Sequence, residues 1–320
     1  MDSEASSGPR DEVTADVIVV GGGIAGLTTA VVLAESGRRV RVWTREPAAR
    51  TTSAVAGGLW WPYRIEPEPL VGAWALESLA VYEGLAARSE ETGVRLVDGV
   101  HQGARLGGLG EWAGRVPGLR AVADGLAARL PVIDMPVHLA WLRRRLLRAG
   151  GTVTEREVTD LAAVPAGVVV NCTGLGARSL VPDPAVRPVR GQLVVVANPG
   201  ITTWFTSVDH ASTASTYFIP QPGGLLLGGT AEEDDWSLEP DPATAKAIVA
   251  RCARVRPELA GARVLAHRVG LRPARDAVRL TRQPLPDGRT LVHNYGHGGA
   301  GITVAWGCAR EAAALAVRGC

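Results

Sequence analysis

The chain has 320 residues, of which 46% are hydrophobic, and its 34 basic and 32 acidic side chains leave a formal net charge of +2. This apolar fraction is ample for a buried core and excludes a globally disordered chain. The near balance of charge gives no electrostatic reason to expect a nucleic acid or an anionic membrane as partner. The length suits one large domain or two closely packed ones.

The sequence predicts a reduced, cytoplasmic setting, and its richness in Ala, Arg and Gly indicates a bacterial source. The cysteines form no CxxC pair and have no metal-ligand spacing; they are Cys172, Cys252, Cys308 and Cys320. Residues 1–13 are polar, carry no signal-peptide core and are expected to form a disordered arm. No apolar run approaches the roughly 20 residues of a membrane span, and the last residues match neither a peroxisomal nor a prenylation signal.

The first folded unit is predicted to be a βαβ unit. Residues 16–20 are a continuous apolar run that stops at three glycines and fits a strand buried on both faces. Residues 24–36 have a helical pattern, and residues 39–43 alternate as a second strand. Two strands joined through a helix in about thirty residues are expected to run parallel.

The rest of the chain mixes helices and short strands. Further helices are predicted at residues 74–92, 136–150, 241–256 and 301–317. Further strands are predicted at residues 152–158, 168–170, 191–197, 216–220, 225–229, 263–271 and 290–294. After residue 187 the strands are separated by Gly and Pro, which is typical of an antiparallel or mixed sheet. We therefore predict an α/β fold with a nucleotide-binding domain built from discontinuous pieces and a second domain inserted into it.

A glycine-rich turn joins the first strand to the first helix. Gly21, Gly23 and Gly26 supply the pattern G-x-G-x-x-G. The first glycine permits the tight turn, the second lets the backbone approach a pyrophosphate, and the third lets the helix pack closely on the sheet. The pyrophosphate then lies at the helix N-terminus beside Ile24, where N–H groups and the dipole favour negative charge. The turn predicts a dinucleotide cofactor but does not choose between FAD and NAD(P).

The end of the second strand is the usual place for an acidic ribose ligand, about twenty residues after the glycines. Glu46 has this distance, but Thr44 and Arg45 follow the strand more directly. We expect backbone groups of Thr44 and Arg45 near the adenosine. Whether Glu46 binds the ribose or is an ordinary surface residue stays open at this point.

Five segments decide which cofactor is expected. They are AVAGGLWWPY at 54–63, RPVRGQ at 187–192, TYFIP at 216–220, VGLRPARDAVRL at 269–280 and HNYGHGGAGITVAWG at 293–307. In this order they resemble the D-amino-acid oxidase family of FAD enzymes, and the resemblance runs from about residue 16 to residue 315. It is far more specific than the glycine pattern alone.

This resemblance implies non-covalent FAD in a Rossmann-like domain made of residues 14–60, 135–186 and 286–320. Residues 61–134 and 187–285 would form the inserted antiparallel or mixed-sheet substrate domain. The glycines near the last helix suit close approach of a flavin, and the helix N-terminus suits its carbonyl edge. The residues expected at the cofactor are Gly21, Gly23, Ile24, Gly26, Thr44, Arg45, Thr51, Thr52, Ser53, Gly57, Gly58, Leu59, Val158, Thr173, Arg272, Gly298, Gly299, Ala300, Gly301, Ile302 and Thr303.

The resemblance also implies a substrate site and a reaction. Arg272 would pair with the substrate carboxylate, for which a guanidinium offers two parallel N–H bonds. The Tyr217 hydroxyl would support the same carboxylate, and the carbonyl of Gly299 would accept from the amine. Catalysis would then be positioning without an acid or base: the Cα hydrogen leaves as hydride to FAD, and dioxygen reoxidises the flavin. The products would be a 2-oxo acid, ammonia and hydrogen peroxide.

Two departures from the family pattern affect the expected substrate. Thr213 stands where the family often has a second tyrosine, and Trp61 stands where many members carry a glutamine. Segment 205–220 is rich in Ser, Thr and Ala and offers no second cation, which favours a neutral or broad range of side chains. The alternatives are an oxidase of D-aspartate or of glycine and sarcosine, a flavin-binding protein without turnover, and an NAD(P)-dependent dehydrogenase.

The remaining expectations concern metals and partners. His293 and His297 are four residues apart but lie in a Gly/Asn segment without accompanying carboxylates or cysteines, so no metal site is predicted. The expected partners are a D-amino acid and dioxygen, and the expected state is a monomer or a homodimer.

Overall fold

The computed structural model describes residues 15–208 and 214–317. The predicted arm at 1–13, Thr213 and Cys320 lie outside these residues. The α-helices are α1 (Ile24–Glu35), α2 (Thr52–Val55), α3 (Glu68–Leu85), α4 (Ser89–Thr92), α5 (Met135–Arg148), α6 (Ala177–Leu180), α7 (Pro242–Val255) and α8 (Gly301–Val317). The strands are β1 (Val17–Val20), β2 (Val40–Thr44), β3 (Val94–Gln102), β4 (Arg120–Val122), β5 (Gly125–Ile133), β6 (Thr152–Glu155), β7 (Val168–Asn171), β8 (Arg187–Val196), β9 (Trp204–Val208), β10 (Ala214–Gln221), β11 (Gly224–Thr230), β12 (Glu232–Glu233), β13 (Val264–Pro284) and β14 (Thr290–His297). Short 3-10 helices span Ala48–Arg50, Ala86–Arg88, Leu106–Gly108, Glu111–Arg115, Gly174–Gly176, Pro257–Gly261 and Gly298–Ala300.

One mixed sheet joins all the strands. Its first part runs β6-β2-β1-β7-β14 with every pair parallel, which confirms the predicted βαβ unit. The sheet then continues through β13, β8, β11, β10 and β9 with antiparallel pairs. β9 pairs in parallel with β3, and antiparallel β5 and β4 complete the far edge. The predicted α/β class with a mixed second sheet region is therefore confirmed.

Several predicted boundaries were wrong. α3 begins at Glu68, six residues before the predicted start, because Pro69 lies in its first turn, where a missing N–H costs nothing. β13 continues to Pro284, well beyond residue 271, and so carries the whole arginine-rich motif as strand. β3, β4, β5, β9 and β12 were not predicted. In β3 the alternation of apolar and polar side chains is broken at Val97, which is apolar, and at Asp98, which is charged.

The helix α3 is apolar because it packs inside the protein. By length and composition alone, Glu68–Thr92 would be long and apolar enough to cross a membrane. In the fold, Trp74 lies so close to α8 that a Cβ on Gly307 would stand 2.4 Å from the Trp74 Cα. The Tyr82 hydroxyl donates to the carbonyl of Ile302 at 2.9 Å. These contacts hold the N-terminal half of α8 in place.

Candidate functional site

A deep cleft of about 1350 Å³ lies where the parallel and antiparallel parts of the sheet meet. It opens at the carboxyl ends of β1, β2 and β7, which is where open α/β sheets bind ligands. All but three of the residues predicted for cofactor or substrate line this cleft. The exceptions are Gly26, Ala300 and Thr303, which are buried behind the lining residues.

The turn from β1 to α1 can only be built with glycine at two positions. Gly21 has φ of 118°, and a Cβ there would stand 2.3 Å from the carbonyl oxygen of Cys172. A Cβ on Gly26 would stand 1.9 Å from the carbonyl oxygen of Gly21, so Gly26 serves helix packing. Gly23 caps α1 without a side chain, and the next amide, Ile24 N–H, donates to Ser53 Oγ at 2.9 Å. The helix N-terminus therefore faces the cleft beside Ser53, in the arrangement a pyrophosphate needs.

The sequence predicts the adenosine beside the end of β2, and we call this part of the cleft the adenosine end. Thr44 Oγ1 donates to the carbonyl of Glu46 at 2.7 Å, and the Glu46 carboxylate is 3.6 Å from the Arg45 guanidinium. Glu46 lines the cleft, so the position left open by the sequence does reach the site. Two lining residues that the sequence did not reveal are Trp43 and Arg156, whose guanidinium lies 4.0 Å from the Trp43 ring centroid.

The end of the cleft where the sequence predicts the flavin is framed by the start of α8. Gly298, Gly299, Gly301 and Ile302 line it, so the backbone of this turn is open to close approach. Thr303 Oγ1 donates to the carbonyl of Trp61 at 3.0 Å and lies 3.3 Å from its amide nitrogen. Thr303 thus ties the segment after Gly58 and Leu59 to α8. A first helical turn open to the cleft suits the electron-rich carbonyl edge of a flavin.

Arg272 and Tyr217 lie together in the cleft. Arg272 Nη1 donates to the carbonyl of Thr230 at 2.9 Å, and its guanidinium is close enough to Tyr217 to influence the pKa of the phenol. Burial raises the pKa of the Tyr217 phenol, which keeps it a hydrogen-bond donor. Across residues 15–208 and 214–317, no carboxylate lies within ion-pairing distance of Arg272.

The neighbouring arginines of the same motif behave differently. Arg275 and Arg279 lie 3.1 Å and 3.4 Å from the Asp183 carboxylate, which also accepts from the Tyr295 hydroxyl at 2.8 Å. These two arginines therefore hold the fold together. Of the three arginines, Arg272 alone faces the cleft. No acidic side chain among the described residues compensates its charge, and such a guanidinium is suited to bind a carboxylate.

Glycines make room for both side chains. A Cβ on Gly228 would stand 2.0 Å from Tyr217 Cζ, so the phenol ring occupies the space that a side chain at this strand position would need. A Cβ on Gly299 would be 3.2 Å from Arg272 Cδ and 3.6 Å from Cδ1 of Tyr63. Tyr63 lines the cleft beside the predicted substrate residues and was missed as a site residue. Its place in the segment AVAGGLWWPY could have singled it out.

The histidines of the HNYGHGG segment form two separate buried contacts. His293 Nδ1 lies 3.3 Å from Asn171 Nδ2, and His297 Nε2 lies 3.0 Å from Asn294 Oδ1. Burial lowers the pKa of each histidine to about 4, so both are neutral near pH 7. Within the described ranges, no group of three His, Cys, Asp or Glu side chains is placed to hold a metal ion.

Comparison with known proteins agrees with this geometry. Residues 16–315 match the family model DAO, FAD dependent oxidoreductase. The chain belongs to this family. It is 71% identical over 313 residues to a D-amino-acid oxidase of Streptomyces coelicolor, covering 96% of this chain and 98% of that protein. It is 50% identical over 322 residues to a D-amino-acid oxidase of Rubrobacter xylanophilus, covering 97% and 98%.

A solved structure shows the same fold. The glycine oxidase of Bacillus cereus superimposes with a TM-score of 0.78 at 20% identity, covering 95% of this chain and 97% of that one. The FAD-dependent family therefore settles the choice between FAD and NAD(P) that the glycine turn left open. An NAD(P)-dependent dehydrogenase was the wrong alternative.

Proposed function

We propose that this chain oxidises D-amino acids with non-covalent FAD, giving a 2-oxo acid, ammonia and hydrogen peroxide. The observation that carries the proposal is the uncompensated guanidinium of Arg272 beside the Tyr217 hydroxyl in the cleft. A protein that only stores flavin needs neither group. The D-amino-acid oxidases at 71% and 50% identity support the same activity.

The chain's own residues supply binding and orientation. When bound, FAD accepts the two electrons removed with the Cα hydrogen, and dioxygen takes them on. Arg272 would hold the substrate carboxylate through two parallel N–H bonds, and Tyr217 would donate a third. The carbonyl of Gly299 would accept from the substrate amine. This fixes the orientation of Cα without a general base, so rate would come from positioning.

The residues proposed for FAD fit its parts in order along the cleft. The N-terminus of α1, with Gly21, Gly23, Ile24 and Ser53, would hold the pyrophosphate. Backbone groups of Thr44, Arg45 and Val158 would hold the adenosine. The ring would lie among the remaining lining residues: Thr51, Thr52, Gly57, Gly58, Leu59, Thr173, Gly298, Gly299, Gly301 and Ile302.

The proposed substrates have neutral side chains. Beside Tyr217, the described lining residues Thr206, Ser215 and Thr230 are uncharged hydroxyl side chains. Among these described residues beside Tyr217, a β-carboxylate would find no guanidinium other than that of Arg272. Peroxide production from D-Met or D-Phe should therefore exceed that from D-Asp by more than about tenfold, or 1.4 kcal/mol in transition-state terms. Faster turnover of D-Asp would make the protein an acidic-substrate oxidase instead.

The same purified protein tests the cofactor. It should be yellow, and acid precipitation should release FAD into the supernatant. Flavin that stays with the pellet would refute non-covalent binding, and release of FMN would refute the pyrophosphate site at α1. Cytoplasmic location and a monomeric or homodimeric state stay predictions from the sequence.

A further inference from the structure

Three neighbouring strands place a row of side chains in the substrate part of the cleft. Tyr217 on β10 is the direct partner of Thr206 on β9, and Thr206 is the direct partner of His101 on β3. Directly paired residues point to the same face of a sheet, and all three line the cleft. The row therefore starts at the proposed carboxylate site and leads away from it.

The ring of Tyr217 does not fill the space above Thr206 and His101. β10 has β9, with Thr206, on one side and β11, with Gly228, on the other. The Tyr217 ring lies over Gly228 and therefore leans away from the row. With strands about 4.8 Å apart, His101 begins about 10 Å from the backbone of Tyr217. A substrate held by its carboxylate at Tyr217 and Arg272 can extend a side chain of several atoms toward Thr206 and His101.

The far end of the row is a polar pair backed by an aromatic wall. His101 Nδ1 and Thr206 Oγ1 form a hydrogen bond of 2.5 Å. The Trp61 ring lies 4.9 Å from the His101 ring, centroid to centroid, and meets Trp112 edge-on at 5.5 Å. Because Trp61 is tied to Thr303, the imidazole is held between a sheet and the flavin-binding turn.

We propose that Thr206, oriented by its bond to His101, determines specificity by hydrogen bonding the polar end of a long, uncharged substrate side chain, such as the carboxamide of D-Gln. A hydroxyl bonded to a ring nitrogen presents its remaining donor or lone pairs to the cleft, and a carboxamide can satisfy either. Trp61 supports the pair and packs on the methylene part of the side chain. This inference rests on the proposed oxidation of D-amino acids and adds a substrate class to it.

The test compares D-Gln with D-Met, which has a similar length but no strong hydrogen-bonding group, and with D-Ala, which is too short to reach the pair. His101→Phe keeps a ring against Trp61 and removes both nitrogens, and Thr206→Val removes the hydroxyl at nearly constant volume. Each variant should lower kcat/KM for D-Gln roughly tenfold, the effect of one lost hydrogen bond. Values for D-Met and D-Ala should stay within about threefold.

The controls separate specificity from folding and from the proposed function. His267→Phe changes an exposed histidine outside the cleft and should leave all three substrates unaffected. The dissociation constant for FAD and the Tm should match the wild type in each variant. An unchanged D-Gln to D-Met ratio in both variants, or equal losses for all three substrates, would overturn the inference. Turnover of D-Ala by the wild-type protein measures the proposed function by itself.

Discussion

The guanidinium of Arg272 lies directly over the backbone of Gly191, where an added Cβ would stand 2.4 Å from Nη2. The two residues lie on the neighbouring strands β13 and β8, and Arg272 reaches the cleft across a strand position that has no side chain. Gly191 thus sets where the cation lies. It belongs to the segment RPVRGQ, which the sequence singled out without a reason for its glycine.

This relationship predicts that Gly191→Ala weakens substrate binding while the fold survives. The methyl group would meet the far end of a flexible side chain, which can move away at small cost to stability, but the moved guanidinium no longer fits the carboxylate. We expect a KM for D-Met raised at least about tenfold, or 1.4 kcal/mol, with Tm and FAD content near those of the wild type. A KM that does not change would show that Arg272 is not held in place by Gly191.

Replacing the cation itself should have a larger effect. Arg272→Leu leaves the substrate carboxylate without its partner, which typically costs roughly 2–5 kcal/mol, so kcat/KM should fall about 30-fold to several-thousand-fold. Arg272→Lys should recover only part, because an ammonium lacks the paired N–H geometry. Arg268→Leu, on the same strand but outside the cleft, is the matched control. Near-normal kcat/KM in Arg272→Leu, or loss of activity only through loss of FAD, would remove Arg272 from the substrate site.

The pH profile distinguishes Tyr217 as a donor from Tyr217 as an acid or base. Burial raises the pKa of its phenol, so the hydroxyl stays protonated from neutral pH to about pH 10. Tyr217→Phe should lower kcat/KM roughly tenfold at every pH in this range, through one lost hydrogen bond. The shape of the profile should not change. A basic limb that disappears in Tyr217→Phe would show that the phenol titrates during catalysis.

Buried neutral histidines predict a loss of stability in mild acid. Burial lowers the pKa of His138, His293 and His297 to about 4 from an ordinary 6.5. Between these values the unfolded chain binds protons that the folded protein does not, so the free energy of unfolding falls as the pH drops from about 6.5 toward 4. Three such groups contribute at most about 4 kcal/mol per pH unit.

His138, one of these three histidines, lies away from the cleft, so its replacement tests the effect without disturbing the site. It lies on α5 and bonds the carbonyl of Thr92 at 2.8 Å. In His138→Asn, the dependence of unfolding free energy on pH, measured by urea denaturation between pH 4.5 and 6.5, should be shallower by up to about 1.4 kcal/mol per unit. The same slope in variant and wild type would mean that His138 is protonated in the folded protein.

Local patterns in the sequence were enough to predict the glycine turn that lines the cleft and to single out Arg272, whose role at the substrate stays a prediction. The glycine requirement at Gly21 and Gly26 follows from a short strand-turn-helix stretch, and Arg272 stands in a specific motif. His101 and Thr206 were missed because they meet only across β3 and β9, at positions 105 residues apart. Neither strand shows the apolar alternation that predicts a half-buried strand. Their contribution to the site depends on pairing between distant segments, which periodicity does not report.

The pairing of Trp43 with Arg156 was hidden for the same reason. Trp43 fits the apolar pattern of β2, and Arg156 follows β6, so each residue alone is ordinary. Only the parallel pairing of β2 with β6 brings them together at the adenosine end. The domain boundaries predicted from the sequence are likewise a matter of long-range packing, and they stay a prediction.

The most direct test of D-amino-acid oxidation is reduction of the bound flavin without oxygen. The purified holoprotein is mixed anaerobically with D-Met, and in a parallel sample with L-Met, while the visible absorbance of the oxidised flavin is followed. Oxidation of D-amino acids by this chain predicts rapid and complete bleaching by D-Met, little change with L-Met, and return of the yellow colour with peroxide when air is admitted. Bleaching by L-Met at an equal or greater rate, or no bleaching by any D-amino acid, would contradict it.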